Sequence, residues 1–88
     1  MSFAMIKEFL ILELQNDVTA LKGWLNNHYV LEDVTKAKLL ENTICYMQGA
    51  TTFAMTLGLD ENEVDEIYAT YRQKAQDVYD ESVKGENK

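Results

Sequence analysis

Apolar residues recur along the N-terminal part of the chain at steps of three or four, the spacing that keeps one face of a helix apolar. This pattern predicts a first helix over about residues 2–26. Asn16, Asp17 and Gly23 are positions where that helix could bend or break. Extra apolar groups make its N-terminal half wider than one stripe needs. The main stripe is Ile6, Leu10, Leu14, Val18, Leu21 and Leu25, and the extra groups are Phe3, Phe9, Ile11 and Leu12.

A second helix is predicted over about residues 34–57, where two apolar stripes run side by side. Asp33 precedes it and is expected to cap its N-terminus by accepting from free backbone N–H groups. Two apolar faces predict burial on two sides, as for the central helix of a bundle. One stripe is Leu40, Ile44, Met47 and Ala54, and the other is Leu39, Tyr46, Phe53 and Leu57.

Small residues are concentrated in the second half of this helix. Gly49 costs about 1 kcal/mol relative to Ala in a helix interior, so we expect a compensating contact. Ala50, Ala54 and Gly58 follow at steps of four on one face. This spacing favours a close approach by another helix, or room for an aromatic side chain such as Trp24.

The strongest local signal in the chain lies where the second helix ends and the third begins. Gly58 suits the left-handed position just after a helix. Asp60 is the predicted N-cap, and Glu63 three residues later completes a D-x-x-E variant of the capping box. Leu59 and Val64 are placed to form the hydrophobic staple. Most of the acidic residues here therefore have a structural explanation before a functional one.

A third helix is predicted over about residues 61–82, followed by a frayed tail, 83–88. Among its tyrosines, Tyr68 and Tyr71 are expected at the edge of the core, whereas Tyr79 is expected to be exposed. The predicted apolar face is Val64, Ile67, Tyr68, Tyr71, Ala75 and Val78.

Together these patterns predict an all-α protein, with one domain over residues 1–82 that forms a small three-helix bundle with short connections. The absence of proline favours long helices. So small a chain buries a modest fraction of its surface, and its helices carry more apolar face than three helices need. We therefore expect a homodimer formed through helix faces. The residues expected in the dimer or helix contact are Phe3, Phe9, Leu10, Leu12, Gly49 and Phe53.

The net charge of −7 is unevenly distributed. Residues 1–59 carry a net charge of −2, residues 60–81 carry −6, and residues 82–88 carry +1. Binding to nucleic acid or to an anionic membrane needs clustered Lys and Arg, so this balance argues against both. It favours a protein partner with a basic surface. The residues of the third helix expected to bind such a partner are Glu61, Asp65, Glu66, Tyr79 and Asp80.

Residues that could support catalysis are few. The chain has one cysteine, Cys45, and one histidine, His28, and nothing in the sequence pairs them as a nucleophile and its base. Cys45 is expected in or near the core and His28 in a turn. A calcium loop starting at Asp60 fails because Asp65 stands where the sharp turn needs glycine. Zinc, di-metal and nucleotide motifs are missing from the sequence. We predict no enzymatic activity, no cofactor and no metal site.

The sequence favours a cytoplasmic location. Lys7 and Glu8 interrupt the apolar N-terminus, which therefore does not resemble a signal peptide. The longest uncharged apolar run, residues 9–12, is too short to cross a bilayer. A single cysteine allows no intramolecular disulfide, which suits a reducing compartment.

Three functional hypotheses follow from these observations. The first is a non-enzymatic acidic protein that acts by protein–protein interaction, as an adaptor, inhibitor or regulator. Such a role would suit a product of a phage or a mobile element. The second is a nucleic-acid mimic, in which the acids of the third helix occupy the basic groove of a DNA- or RNA-binding protein; Arg72 and Lys74 interrupt those acids and argue against it. The third is a small enzyme or ligand-binding bundle, which a cavity lined by Glu41, Cys45 and Tyr46 would favour.

Overall fold

The computed structural model describes residues 2–26 and 33–86, which form three helices in one bundle. Each helix packs against both of the others, and the bundle measures 47 × 19 × 17 Å. The prediction of an all-α three-helix fold is confirmed. The helices are α1 (Phe3–Leu25), α2 (Asp33–Thr56) and α3 (Glu61–Glu86).

The α1 helix is continuous and capped at both ends. Ser2 has an extended backbone, and its Oγ accepts a hydrogen bond from the Met5 N–H at 3.2 Å. At the other end the Asn26 N–H donates to the Lys22 carbonyl at 3.0 Å. The helix runs through Asn16 and Asp17 without interruption, so the break considered from the sequence is absent. The polar residues there lie away from the main buried stripe and leave the backbone ladder intact.

The corner between α2 and α3 forms the turn that the sequence predicts. Gly58 has a φ of 104°, its N–H donates to the Met55 carbonyl at 2.9 Å, and the Leu59 N–H donates to the Ala54 carbonyl at 3.1 Å. These two bonds define a Schellman motif, which satisfies carbonyls at the end of α2. Leu59 and Ala54 are both buried, and their burial fixes the direction in which the chain leaves the helix.

Only half of the predicted capping box is present at the start of α3. The Asp60 carboxylate accepts from the Glu63 N–H at 3.2 Å, as an N-cap should. The Glu63 carboxylate lies 2.6 Å from the Lys7 ammonium and so ties α3 to α1. Val64, the second partner of the staple, is fully buried.

The third helix is longer than the sequence predicts. It continues to Glu86, so residues 83–86 are helical and the tail predicted to fray is shorter. Lys36, which is buried near the start of α2, donates a hydrogen bond to the Ser82 Oγ at 3.1 Å. This contact anchors the end of α3 against α2. The N-cap contact predicted for the Asp33 side chain, and the turn predicted at His28, lie outside the described residues.

The core lies along the line where the three helices meet. It confirms the main stripe of α1 and the first stripe of α2. Tyr68, Tyr71 and Tyr79 are half-buried and pack against it. The buried apolar side chains are Ile6, Leu10, Leu14, Leu21, Leu25, Leu40, Met47, Ala54, Leu59, Val64 and Ala75.

The prediction that α2 is a central helix buried on two sides is wrong. Tyr46, Phe53 and Leu57, from its second stripe, are exposed, and only Leu39 is half-buried. Three helices that all touch one another form a triangular arrangement, in which each helix keeps an outer face. The second stripe of α2 falls on that outer side, next to α1.

Candidate functional site

Large apolar side chains are exposed along the outer side of α1 and α2. Tyr46 keeps 73% of its surface accessible, Trp24 60%, Phe53 54% and Phe9 50%. Single exposed apolar residues are ordinary on protein surfaces, but contiguous apolar patches usually mark contacts. These residues lie on the same side of the two helices, where they line adjoining cavities.

Three open cavities join end to end between α1 and α2. Their volumes are about 370, 280 and 270 Å³. The first and second share Phe9 and Phe53, and the second and third share Asp17 and Tyr46. We refer to them together as the α1–α2 groove. Its principal lining residues are Met5, Glu8, Phe9, Leu12, Glu13, Asp17 and Trp24 from α1, Leu39, Tyr46, Ala50 and Phe53 from α2, and Leu57 just after α2.

One end of the groove is the more apolar. Met5, Phe9 and Leu12 line the largest of the three cavities by volume together with Phe53 and Leu57. Two stripes at helical spacing, one on each helix, produce this end. It offers pockets for apolar side chains of the kind that an amphipathic partner helix presents.

The charged residues that line the α1–α2 groove are all acidic. Among the described residues, Glu8, Glu13 and Asp17 line it and no lysine or arginine does. Burial raises the pKa of Asp17 above its ordinary value of 3.8, and the nearby Glu13 carboxylate raises it further. Asp17 lines both the middle and the third cavity, as does Tyr46. The surroundings of Asp17 in the groove therefore disfavour the anionic form of its carboxylate.

The predicted contact residues divide between this surface and the core. Phe9, Leu12 and Phe53 line the groove and are exposed. Phe3 is also exposed, and its ring lies against Gly58. Leu10 is only 1% exposed and belongs to the core, so it cannot contact a partner. Phe9 and Leu10 are consecutive, and the 100° rotation from one helical residue to the next places Phe9 in the groove and Leu10 in the interior.

Gly49 does not have the role that its small size suggested. A Cβ added there would meet nothing within 4 Å, so none of the three described helices makes a close contact at this position. Ala54, by contrast, is buried in the core, and Ala50 is half-buried beside the groove. The prediction of a close helix contact through Gly49 is wrong within the chain, because the glycine lies on the outer face of α2.

The acids predicted on α3 lie at the surface, apart from the groove. Glu61, Asp65, Glu66 and Asp80 are all exposed, and the Asp80 carboxylate accepts from a glutamine amide one turn earlier at 2.9 Å. Tyr79 is half-buried and packs against the core, so its predicted exposure is wrong. It lies one turn after the buried Ala75, on the side of α3 that faces the bundle.

Sequence reasoning missed Trp24, Tyr46 and Asp17 as parts of one site. The sequence carries a signal for Tyr46, which belongs to the second stripe of α2, but the pattern predicts that this stripe is buried. Asp17 is marked by the sequence only as a position where α1 could bend or break. Its place beside Tyr46 depends on how α1 and α2 align, which no local pattern encodes.

Few of the described residues are placed to support catalysis or to bind a metal ion. Cys45 is exposed, which corrects its expected place in or near the core. Tyr46 lines two of the cavities of the groove, whereas Glu41 and Cys45 line none of them. Within the described part of the chain, no three His, Cys, Asp or Glu side chains come close enough together to hold a metal ion. None of the described helices has the length and apolar character needed to cross a membrane.

No protein-family model, no curated protein and no solved structure matches this chain.

Proposed function

We propose that this protein acts without catalysis, by binding another protein that presents an apolar and basic surface to the α1–α2 groove. The observation that supports this proposal is the run of exposed aromatic and aliphatic side chains along the groove. A partner that covers such a surface releases the water in contact with it. The free energy gained by this burial is about 25 cal/mol per Å² of apolar area. In this role the protein would be a cytoplasmic adaptor, inhibitor or regulator.

The composition of the groove fits a binding surface. Tyr and Trp are over-represented among the residues that dominate the energy of protein contacts, because they combine a large apolar area with a polar atom. Tyr46 and Trp24 meet this description and both are exposed. Phe53 and Phe9 supply a neighbouring apolar centre that a partner could desolvate.

A homodimer is the second candidate for covering this face. The groove is apolar enough to associate with its own copy, and a chain of 88 residues gains stability from burying more surface. In that case two copies would meet around a two-fold axis, each with the same residues in contact.

Nucleic-acid mimicry through α3 remains an alternative that uses a different surface. The exposed carboxylates of Glu61, Asp65 and Glu66 support it. Arg72 and Lys74 separate them from the acids at the other end of the helix, so the negative charge does not form a regular array. Mimicry predicts competition with DNA and a steep loss of affinity as salt rises.

Site-specific photo-crosslinking distinguishes these surfaces. Phe53 is replaced by p-benzoylphenylalanine in cells that produce the protein, and a second variant carries the same group at Ala69, which is exposed on α3. Both positions are on the surface, so both variants should fold. We expect an irradiated adduct with another protein from position 53 and none from position 69, read by mass spectrometry.

Each other result selects a different conclusion. If crosslinking from position 53 gives a product with twice the mass of the chain, the homodimer would be supported. An adduct from position 69 alone would move the function to the acids of α3. No adduct from position 53 would overturn binding through the α1–α2 groove.

A further inference from the structure

We propose that the α1–α2 groove binds an amphipathic helix that carries lysine or arginine, with a basic side chain seated beside Asp17 and Tyr46 and apolar side chains seated around Phe53. This inference rests on the proposed function and deepens it by naming the chemical class of the partner. The groove, its apolar end and the acids along it together favour this occupant.

The length of the groove suits a helix. Its lining on α1 extends from Met5 to Trp24, which at 1.5 Å per residue is roughly 28 Å. A partner helix of about 18 residues would have the same length. Residues on one face of such a helix, at steps of three and four, would place successive side chains along the three cavities.

The charge of the groove favours a basic partner. Glu8, Glu13 and Asp17 line it, and no described base compensates them there. A partner that covered these carboxylates with apolar groups would remove their water and leave them without a counter-ion, which is costly. Lysine or arginine supplies both the opposite charge and the hydrogen bonds.

A basic side chain of the partner would contribute most to binding if it lay next to Asp17. Asp17 and Tyr46 line the same two cavities, and Trp24 lines one of them. A cation there can pair with the carboxylate and also contact aromatic rings, which attract cations. Burial disfavours the Asp17 anion in the free protein, and an opposite charge from the partner would favour that anion in the complex.

The same charges disfavour a second copy of this chain. The two-fold axis of a homodimer passes through the centre of the contact surface. Glu13 and Asp17 both line the middle one of the three cavities, so a two-fold axis at the centre of the groove would pass near them. A two-fold contact would therefore bring each of these carboxylates close to its own copy, and like charges in contact oppose association.

Selection from a helix library tests the inference. The probe is a displayed library of helices of about 18 residues, with Leu, Ile, Phe or Met fixed on one face and Lys, Arg, Glu, Gln or Ser varied elsewhere. Selection on the purified, immobilised protein near 0.15 M salt reduces attraction by net charge alone. We expect enriched sequences to carry Lys or Arg in excess over Glu at a fixed place relative to the apolar face.

Matched variants then locate the bound peptide by fluorescence anisotropy. Asp17→Asn removes one carboxylate from the groove, and Glu66→Gln removes one from the exposed face of α3. We expect Asp17→Asn to weaken binding of an enriched peptide about tenfold or more. Glu66→Gln should change it less than about twofold. Since the free Asp17 anion is disfavoured, Asp17→Asn should fold at least as well as the wild type, so lost binding would not report unfolding.

Four results would overturn the inference. These are enrichment without preference for Lys or Arg, equal effects of the two substitutions, a selection that enriches nothing, and a photo-crosslink from position 53 to a second copy. The first three leave protein binding through the groove to be judged by the crosslink to another protein. The failure of this inference and the failure of the proposed function are therefore distinguishable.

Discussion

Gly49 and Gly58 belong to the same end of α2, yet the structure gives them opposite roles. Gly58 has a positive φ of 104°, and a Cβ added there would lie 3.2 Å from the Phe3 ring. Gly49 is inside the helix, and a Cβ there meets open space. One glycine is required by backbone conformation, whereas the other only increases the entropy of the unfolded chain.

The matched pair Gly58→Ala and Gly49→Ala tests this difference. We expect Gly58→Ala to lower the free energy of unfolding by about 1–2 kcal/mol, because an L-residue is strained at positive φ. Gly49→Ala should raise it by about 1 kcal/mol, the difference in helix propensity. Urea denaturation followed by circular dichroism measures both, and equal effects of the two changes would contradict the assignment.

Asp17 gives the stability a dependence on pH with a definite sign. Burial and the neighbouring Glu13 raise its pKa in the folded state, so the folded chain holds this proton more tightly than the unfolded chain does. The contribution of Asp17 to stability is therefore present at low pH. It is lost as pH rises through the window above 3.8. The titratable lining groups that face Asp17 are Glu13 and Tyr46.

We expect Asp17→Asn to be more stable than the wild type at pH 7, because the neutral amide resembles the protonated acid. The difference in the free energy of unfolding should shrink as the pH is lowered and vanish below about 3.8. Chemical denaturation at a series of pH values measures it, with Glu66→Gln as the exposed control. A difference that grows toward low pH would show that the sign is wrong.

At the scale of elements, α3 extends beyond the end that its sequence pattern predicts. The sequence predicts that α3 ends near Ser82, but the helix continues to Glu86. Lys36 of α2 is only 3% exposed and donates to the Ser82 hydroxyl, which holds this end of α3 in place. The contact at Ser82 holds the preceding turn of α3 in a helical conformation. Residues 83–86 then add to an existing helix, which is easier than starting a new one.

Removal of the hydroxyl that accepts from Lys36 should therefore destabilise the bundle. We expect Ser82→Ala to lower the free energy of unfolding by about 1–3 kcal/mol, because the lost bond involves a charged donor in a buried place. Thr70→Ala is the control, since the Thr70 hydroxyl bonds only to its own helix and is exposed. An effect of Ser82→Ala no larger than that of the control would show that the contact does not stabilise α3.

At the scale of the whole molecule, the triangular packing leaves each helix with an outer face. Two of those faces together form the α1–α2 groove, whereas the exposed carboxylates of Glu61, Asp65 and Glu66 lie on α3. The apolar surface and the most acidic surface are thus separate. A partner of the groove need not contact α3 at all.

If the groove binds a basic helix, as we propose, the protein should be a monomer when it is alone in solution. We expect a species of 10.1 kDa in sedimentation equilibrium at tens of micromolar and low ionic strength, where repulsion between Glu13 and Asp17 of two copies is least screened. A stable species of twice that mass under these conditions would favour the homodimer. Phe53→Glu is then the matched variant, since it changes the groove without entering the core. Leu10→Glu is unsuitable because it would disrupt the core itself.

The sequence by itself determined the features that depend on a few neighbouring residues. The Schellman turn at Gly58, the cap at Asp60 and the main stripe of α1 are fixed by backbone conformation, local hydrogen bonds and periodicity, and all three were predicted. The tertiary structure decided which of two apolar stripes on α2 is buried, and which of Phe9 and Leu10 faces a partner. Burial depends on what lies opposite a helix face, and that is a property of three helices together. Tyr46 and Asp17 are far apart along the chain, and only the packing of α2 against α1 places them in one groove.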